Sequence, residues 1–265
     1  VEACAAGDHG ALLRGVGYAT LGSAVLESQP GDEVVACPGV HLGIDIVILH
    51  DLVLRAADPT EGATILELGL EMTDPADLTV FGVTLRDVGQ SPAAIHLKYA
   101  GGGGSITAEH CRFEGEQTGI FAMGDIAIDV RHSRFEGGQA LYSGSHSPVE
   151  VSLLDTVMTA VHGGLQIDGP SNVTLTDVVL LQTEACGAIV VTHQANSDPV
   201  SIVASNTSFW SGRPGPSPFY PVPAAVSLQE GDSFECTGCD WFDNLPHDVV
   251  VGDEPYDRPG SETSF

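Results

Sequence analysis

One short phrase occurs twice in this chain and holds its most reactive residue types. It reads His110-Cys-Arg-Phe-Glu114 and then His132-Ser-Arg-Phe-Glu136, with counterparts 22 residues apart. If the phrases lie on successive turns of a repeat, Arg112 sits beside Arg134, Glu114 beside Glu136 and His110 beside His132, about 4.8 Å apart. Three kinds of chemistry suit such columns. Glu114 and Glu136 would form a carboxylate pair near the ~5–5.5 Å spacing of a retaining glycosidase, with Arg134 alongside. Arg112 and Arg134 would grip an anionic sugar, assisted by His110 or His132. Or the charges form a solvated salt-bridge ladder, each pair contributing little to stability. The ladder is the expectation. Strand stacking produces the glycosidase spacing anywhere in a solenoid, and neighbouring arginines hold both carboxylates ionised, which removes the general acid. No catalytic residue is assigned, and Glu114, Glu136 and Arg134 are the candidates should there be one. Arg112, Arg134, His110 and His132 are the candidate substrate-binding set.

Other groups carry less. Asp155 and Asp177 are also 22 apart, and a column of turn aspartates can hold calcium. Aspartate at such turns more often serves a backbone hydrogen bond. No cofactor is expected, with calcium the open alternative. Tyr142, His146, His162 and His193 are too irregularly spaced for a metal site. Cys236-Thr-Gly-Cys239 has zinc-ligand spacing but lacks a second pair, so a local disulfide or buried thiols fit better. Asn172-Val-Thr and Asn206-Thr-Ser match the glycosylation sequon.

Composition narrows the partners. Nine Lys+Arg against 36 Asp+Glu give a formal charge of −27, which repels phosphate backbones and excludes nucleic acid as a natural partner. Hydrophobic residues make up 43%, too many for a disordered chain, and come in strand-length runs, so no transmembrane segment is expected. Val1-Glu-Ala-Cys4 is not a signal peptide; any such peptide would already be gone. The even count of six cysteines suits an oxidising, secreted or cell-surface location. Cys4 and Cys37 flank the first helical segment and are expected to be disulfide-bonded.

The elements that must position these groups are written as a repeat. Ser105-Ile-Thr-Ala-Glu and Ala127-Ile-Asp-Val-Arg precede the two phrases, and Val149 to Met158 and Val173 to Leu180 continue the pattern. A second motif alternates with it: Gly119-Ile-Phe-Ala, Gln139-Ala-Leu-Tyr, Gly164-Leu-Gln-Ile and Gly187-Ala-Ile-Val. Units of roughly 22–25 residues, each with two short strands and Gly/Asp/Ser turns, mark a solenoid whose unit cannot bury its own apolar face. Aligning the units stacks Leu85, Phe113, Phe135, Met158 (or Val157), Leu180, Phe209 and Trp241 in one inward column. Tyr18 to Gln29 places Leu21, Val25 and Leu26 on one helical face before Pro30-Gly31, as a plug over the first coil.

The helix, the Pro30-Gly-Asp-Glu-Val and Pro38-Gly-Val-His turns, and the runs Ile44-Asp-Ile-Val-Ile and Leu52-Val-Leu-Arg resemble the opening of right-handed parallel β-helix proteins of the pectate-lyase-like superfamily. The resemblance covers residues 15 to 251 and implies an all-β, right-handed parallel β-helix of about eight coils with an N-terminal capping helix. It implies no single activity, since the superfamily includes lyases, hydrolases, adhesins and structural members. A lyase of that family would need calcium-binding acids beside an arginine or lysine base, and polygalacturonase-type motifs are absent. One domain is expected over 1–251, with the cap at about 11–29, followed by a polar tail over 252–265. That tail, with Tyr256 and Phe265, or the proline-rich loop with Phe219 and Tyr220, would cover the far end or dock on a neighbouring chain head to tail. The reading that follows is a non-enzymatic extracellular solenoid, acting as a surface, adhesive or self-assembling structural protein. The alternative is a secreted polysaccharide lyase, glycoside hydrolase or carbohydrate binder using the Arg112/Arg134 face.

Overall fold

The computed structural model describes residues 4, 10–73, 75–86, 92–100, 103–144, 149–182, 187–192, 198–211, 224–242, 244, 247–252, 254–256 and 262–264. Alternation of apolar and polar residues makes strands with one face in and one face out. Ser105–Glu109 and Ala127–Arg131 each bury their second and fourth residues, Ile106, Ala108, Ile128 and Val130. Such strands stack in parallel and in register, Ile106 on Ile128 on Val151 on Val173. The outcome is an all-β parallel solenoid of about seven turns, against the eight or so expected.

Two hydrogen-bonded sheets of 12 and 16 strands wrap one core. The larger bends, so each coil has three faces. Arg112–Gly124 and Arg134–Gly144 run through the bend, where the register shifts between Gly115 and Thr118. Gly137 sits there at φ +123°, and a Cβ on it would lie 1.8 Å from the Gly115 carbonyl oxygen, so only glycine fits. Inside, the expected column forms, Leu85 on Phe113 on Phe135 on Met158 on Leu180 on Phe209 on Trp241. Met158, not Val157, occupies it. The Phe113 and Phe135 rings stack 4.3 Å apart, and every member except half-buried Trp241 is buried. Burying each large apolar side chain contributes roughly 1.5–3 kcal/mol.

On seven coils the corner between the smaller sheet and the bent one is a single left-handed residue. Gly82, His110, His132, Asp155, Asp177, Asn206 and Gly238 all have φ between 45° and 69°. Each of His110, His132, Asp155, Asp177 and Asn206 donates its backbone N–H to a carbonyl one coil on, at 2.9–3.1 Å. His, Asn and Asp tolerate this conformation better than other side chains. The next residue points inward and returns a hydrogen bond to the carbonyl two residues back: Ser133 at 2.7 Å, Thr156 and Thr207 at 3.0 Å.

At the N-terminal end, the hairpin Ala11–Leu13 and Val16–Tyr18 pairs antiparallel with Asp32–Ala36. The helix is shorter than expected, Leu21–Leu26, because Thr20 caps it by accepting the Ser23 N–H. Leu21 and Val25 are buried as anticipated, but Leu26 faces out at 81% exposure. Cys4 and Cys37 lie at disulfide distance, with Cα atoms 5.6 Å apart, and Cys236 and Cys239 form a second such pair. At the other end the tail adds strands: Glu254–Tyr256 pairs antiparallel with His247–Val251, and Glu262–Ser264 with Ser233–Thr237. The expectation for Phe219, Tyr220 and Phe265 falls outside the described residues. Among the described residues no helix is long and apolar enough to cross a membrane.

Candidate functional site

The duplicated phrase folds as its spacing requires. Arg112 and Glu114 point out on either side of inward Phe113, with Arg134 and Glu136 directly beside them. One coil back, Arg86 pairs in register with Glu114, and Glu67 lies within reach of it. Alternating charge along this face becomes one continuous network. Arg86 reaches Glu67 at 3.1 Å and Glu114 at 2.8 Å. Arg112 meets Glu114 at 2.8 Å, Glu136 at 2.5 Å and Glu61 at 2.5 Å, and Arg134 closes the row on Glu136. Hydrogen bonds to Glu136 and Glu114 raise the already high affinities of Arg112 and Arg86 for their protons. Three guanidinium groups thus face four carboxylates, so the cluster carries no surplus positive charge for an anionic ligand. Arg134 is the least committed, 54% exposed and held only by Glu136 among these carboxylates.

The two histidines stack at the corner, ring centroids 5.0 Å apart and 16° from parallel, with Phe81 edge-on to His110. His132 Nδ1 lies 2.9 Å from the Asp155 carboxylate. All four expected binding residues, His110, His132, Arg112 and Arg134, line one open depression together with Glu61 and Asp155. Asp177 stacks beside Asp155 at the corner, as expected, and accepts a hydrogen bond from Asn206 at 3.2 Å. The aspartates serve the corner, as aspartate at a solenoid turn usually does. Among the described residues no group of three or more His, Cys, Asp or Glu could hold a metal ion.

A second polar-aromatic column lies on the third face and was not singled out from the sequence. Phe121 and Tyr142 stack 4.6 Å apart at 7°, and His96 meets Phe121 edge-on. The Tyr142 hydroxyl donates to Asp168 at 2.5 Å, and Gln139 bonds Gln166 at 3.0 Å. Burial, then the bond to Asp168, drives the Tyr142 phenol far above its usual proton affinity. The signal was present: Gly119-Ile-Phe-Ala and Gln139-Ala-Leu-Tyr place the two rings at matching outward positions. Each ring face, however, is turned toward the neighbouring coil and not toward solvent, so the stack offers no open platform for a flat sugar ring. No family model, no curated protein and no solved structure matches this chain.

Proposed function

We propose that this chain is a non-enzymatic extracellular β-solenoid, acting as a surface, adhesive or self-assembling structural protein. One observation carries the reading: its chemically capable side chains are spent on their neighbours along the axis. The Glu67–Arg86–Glu114–Arg112–Glu136–Arg134 row neutralises itself, and Phe121, Tyr142, His110 and His132 stack on one another. Such columns stiffen a rod and fix its register. The acidic exterior favours solubility, and two cysteine pairs at disulfide distance suit an oxidising exterior.

The test is a panel of acidic and neutral polysaccharides, incubated with the protein with and without calcium while reducing ends and unsaturated products are followed. No turnover is expected. Arg112→Ala should lower thermal stability, by about 1–2 kcal/mol for three partly exposed pairs and less in high salt. Turnover that disappears in Arg134→Ala would overturn the scaffold reading.

A second reading has its own support, since the four expected binding residues do line one depression. There the chain is a carbohydrate binder, or a lyase or hydrolase of the kind the β-helix resemblance includes, with Arg134 as the available cation. Saturable glycan binding that weakens in Arg134→Ala, without loss of fold, would favour it.

A further inference from the structure

The ends of the solenoid are not treated alike. Both ends of the 12-stranded sheet are closed by antiparallel strands, Val16–Tyr18 at one and Glu262–Ser264 at the other. The C-terminal end of the third face is closed by Glu254–Tyr256. The first coil of the bent sheet is left open: Gly39–Leu42 pairs only with Thr64–Glu67, and Ile46–Ile48 only with Leu70–Met72, among the described residues. Among the described residues each therefore keeps an unpaired backbone edge, an arrangement soluble proteins normally cover or use.

The same coil breaks the outward-polar pattern. Val40, Leu42, Ile44, Val47 and Leu49 all point out, exposed by 53%, 71%, 88%, 45% and 58%. The other exposed large apolar residues are Val16 and Leu26 on the N-terminal cap and the scattered Met123, Val203 and Phe242. From Cys37 to Leu49 the only acid is Asp45, whose carboxylate accepts the Gly69 N–H at 3.0 Å. On the next coil Glu67, which lies beside Leu42, is already paired with Arg86.

We infer that this coil, residues 39–49, is the contact by which two copies of the chain associate. Charge selects the partner. A second copy also carries −27, and most of its surface would be repelled; this apolar coil, with Asp45 its one acid, is where a copy meets least repulsion. Five residues exposed by 45–88% present less than the ~800 Å² a partner contributes to a standard interface, which suits a weak, concentration-dependent dimer. A two-fold axis perpendicular to Gly39–Leu42 would set that open edge antiparallel to its twin, giving a closed dimer and not a filament. The inference rests on the scaffold reading and gives the scaffold its partner.

The experiment is sedimentation of the whole chain over a range of concentration and salt. A species of twice the 27.5 kDa chain mass is expected, favoured by salt, which screens the remaining repulsion. Ile44→Glu and Leu42→Glu should each weaken association by roughly tenfold or more. Their melting temperatures should match that of the unsubstituted chain at dilutions where it is monomeric, since both sites are open to solvent. Val203→Glu, on the smaller sheet, should leave the dimer intact. A monomer at every concentration, or a dimer indifferent to both substitutions, overturns the interface, whatever the polysaccharide panel shows. A dimer lost in Ile44→Glu supports the interface even if that panel reveals turnover, which would overturn the scaffold reading alone.

Discussion

Asp32 shows how one acid in so acidic a chain can be made to matter. Its carboxylate takes Arg14 Nε at 3.0 Å and the Gln29 N–H at 2.6 Å, tying the N-terminal hairpin to the first coil. The bond from Arg14, then that from Gln29, holds its proton affinity below the usual carboxylate value. Because the folded-state value is depressed, the stabilisation is complete above the unfolded value of about 3.9 and is lost as pH falls through the folded one. Amide exchange in residues 11–18 should therefore accelerate in acid before the coils respond. In Asp32→Asn the hairpin should be loose already at neutral pH and show no acid step. An unchanged acid step would place the cause elsewhere. Residues of this kind were not legible in the sequence, where Arg14 and Asp32 carry no shared motif. The duplicated His-x-Arg-Phe-Glu phrase was, because its period fixed every lateral neighbour before any coordinate did.

At the scale of the element, periodicity revealed the strands and concealed the bend. Alternation assigned Phe113 and Phe135 to the interior, but nothing in it distinguishes the straight part of Arg112–Gly124 from its corner. The corner depends on close backbone approach. Gly137→Ala places a methyl group 1.8 Å from the Gly115 oxygen at φ +123°, which no side-chain adjustment relieves. Gly231 also has a positive φ, +98°, yet a Cβ there meets nothing within 4 Å. Gly231→Ala should cost about 1 kcal/mol from backbone strain alone. Gly137→Ala should displace the coil and cost at least about 3 kcal/mol, the scale of a serious core defect. Chemical denaturation of the two variants compares them; equal midpoints would mean the coils slide apart freely. The third-face aromatic pair was overlooked for a related reason. Its strands read as a loose small-apolar motif, and their outward positions acquire meaning only when stacked.

On the scale of the whole molecule, the N-terminal closure was visible and the C-terminal one was not. An amphipathic helix with a Pro-Gly stop announces itself through side chains. Glu254–Tyr256 and Glu262–Ser264 are short and mostly polar, and they close their sheets through backbone hydrogen bonds that composition does not record. The disulfide-distance pair at the first end spans 33 residues, a loop whose closure is worth about 3–4 kcal/mol in the chain-entropy account. Mild reduction should expose residues near the hairpin and helix to protease while the central coils stay protected. Simultaneous loss of both regions would show that the plug and the coils form one cooperative unit.

That pair also decides how the rod would bear a load. Tension entering at Cys4 passes through the bond straight to Cys37, so the hairpin and helix between them feel no pull. The coils do feel it, and their hydrogen bonds lie along the rod, so an axial force opens rungs in succession. The coils differ in length, from 20 residues (Val34 to Leu54) to 32 (Ala204 to Cys236), so each releases roughly 70–110 Å of chain at about 3.4 Å per residue. The shielded segment would add its own 33 residues, roughly 110 Å, only once the bond is reduced. Stretched under oxidising conditions, the molecule behaves as a ratchet of unequal steps with one length of slack kept in reserve.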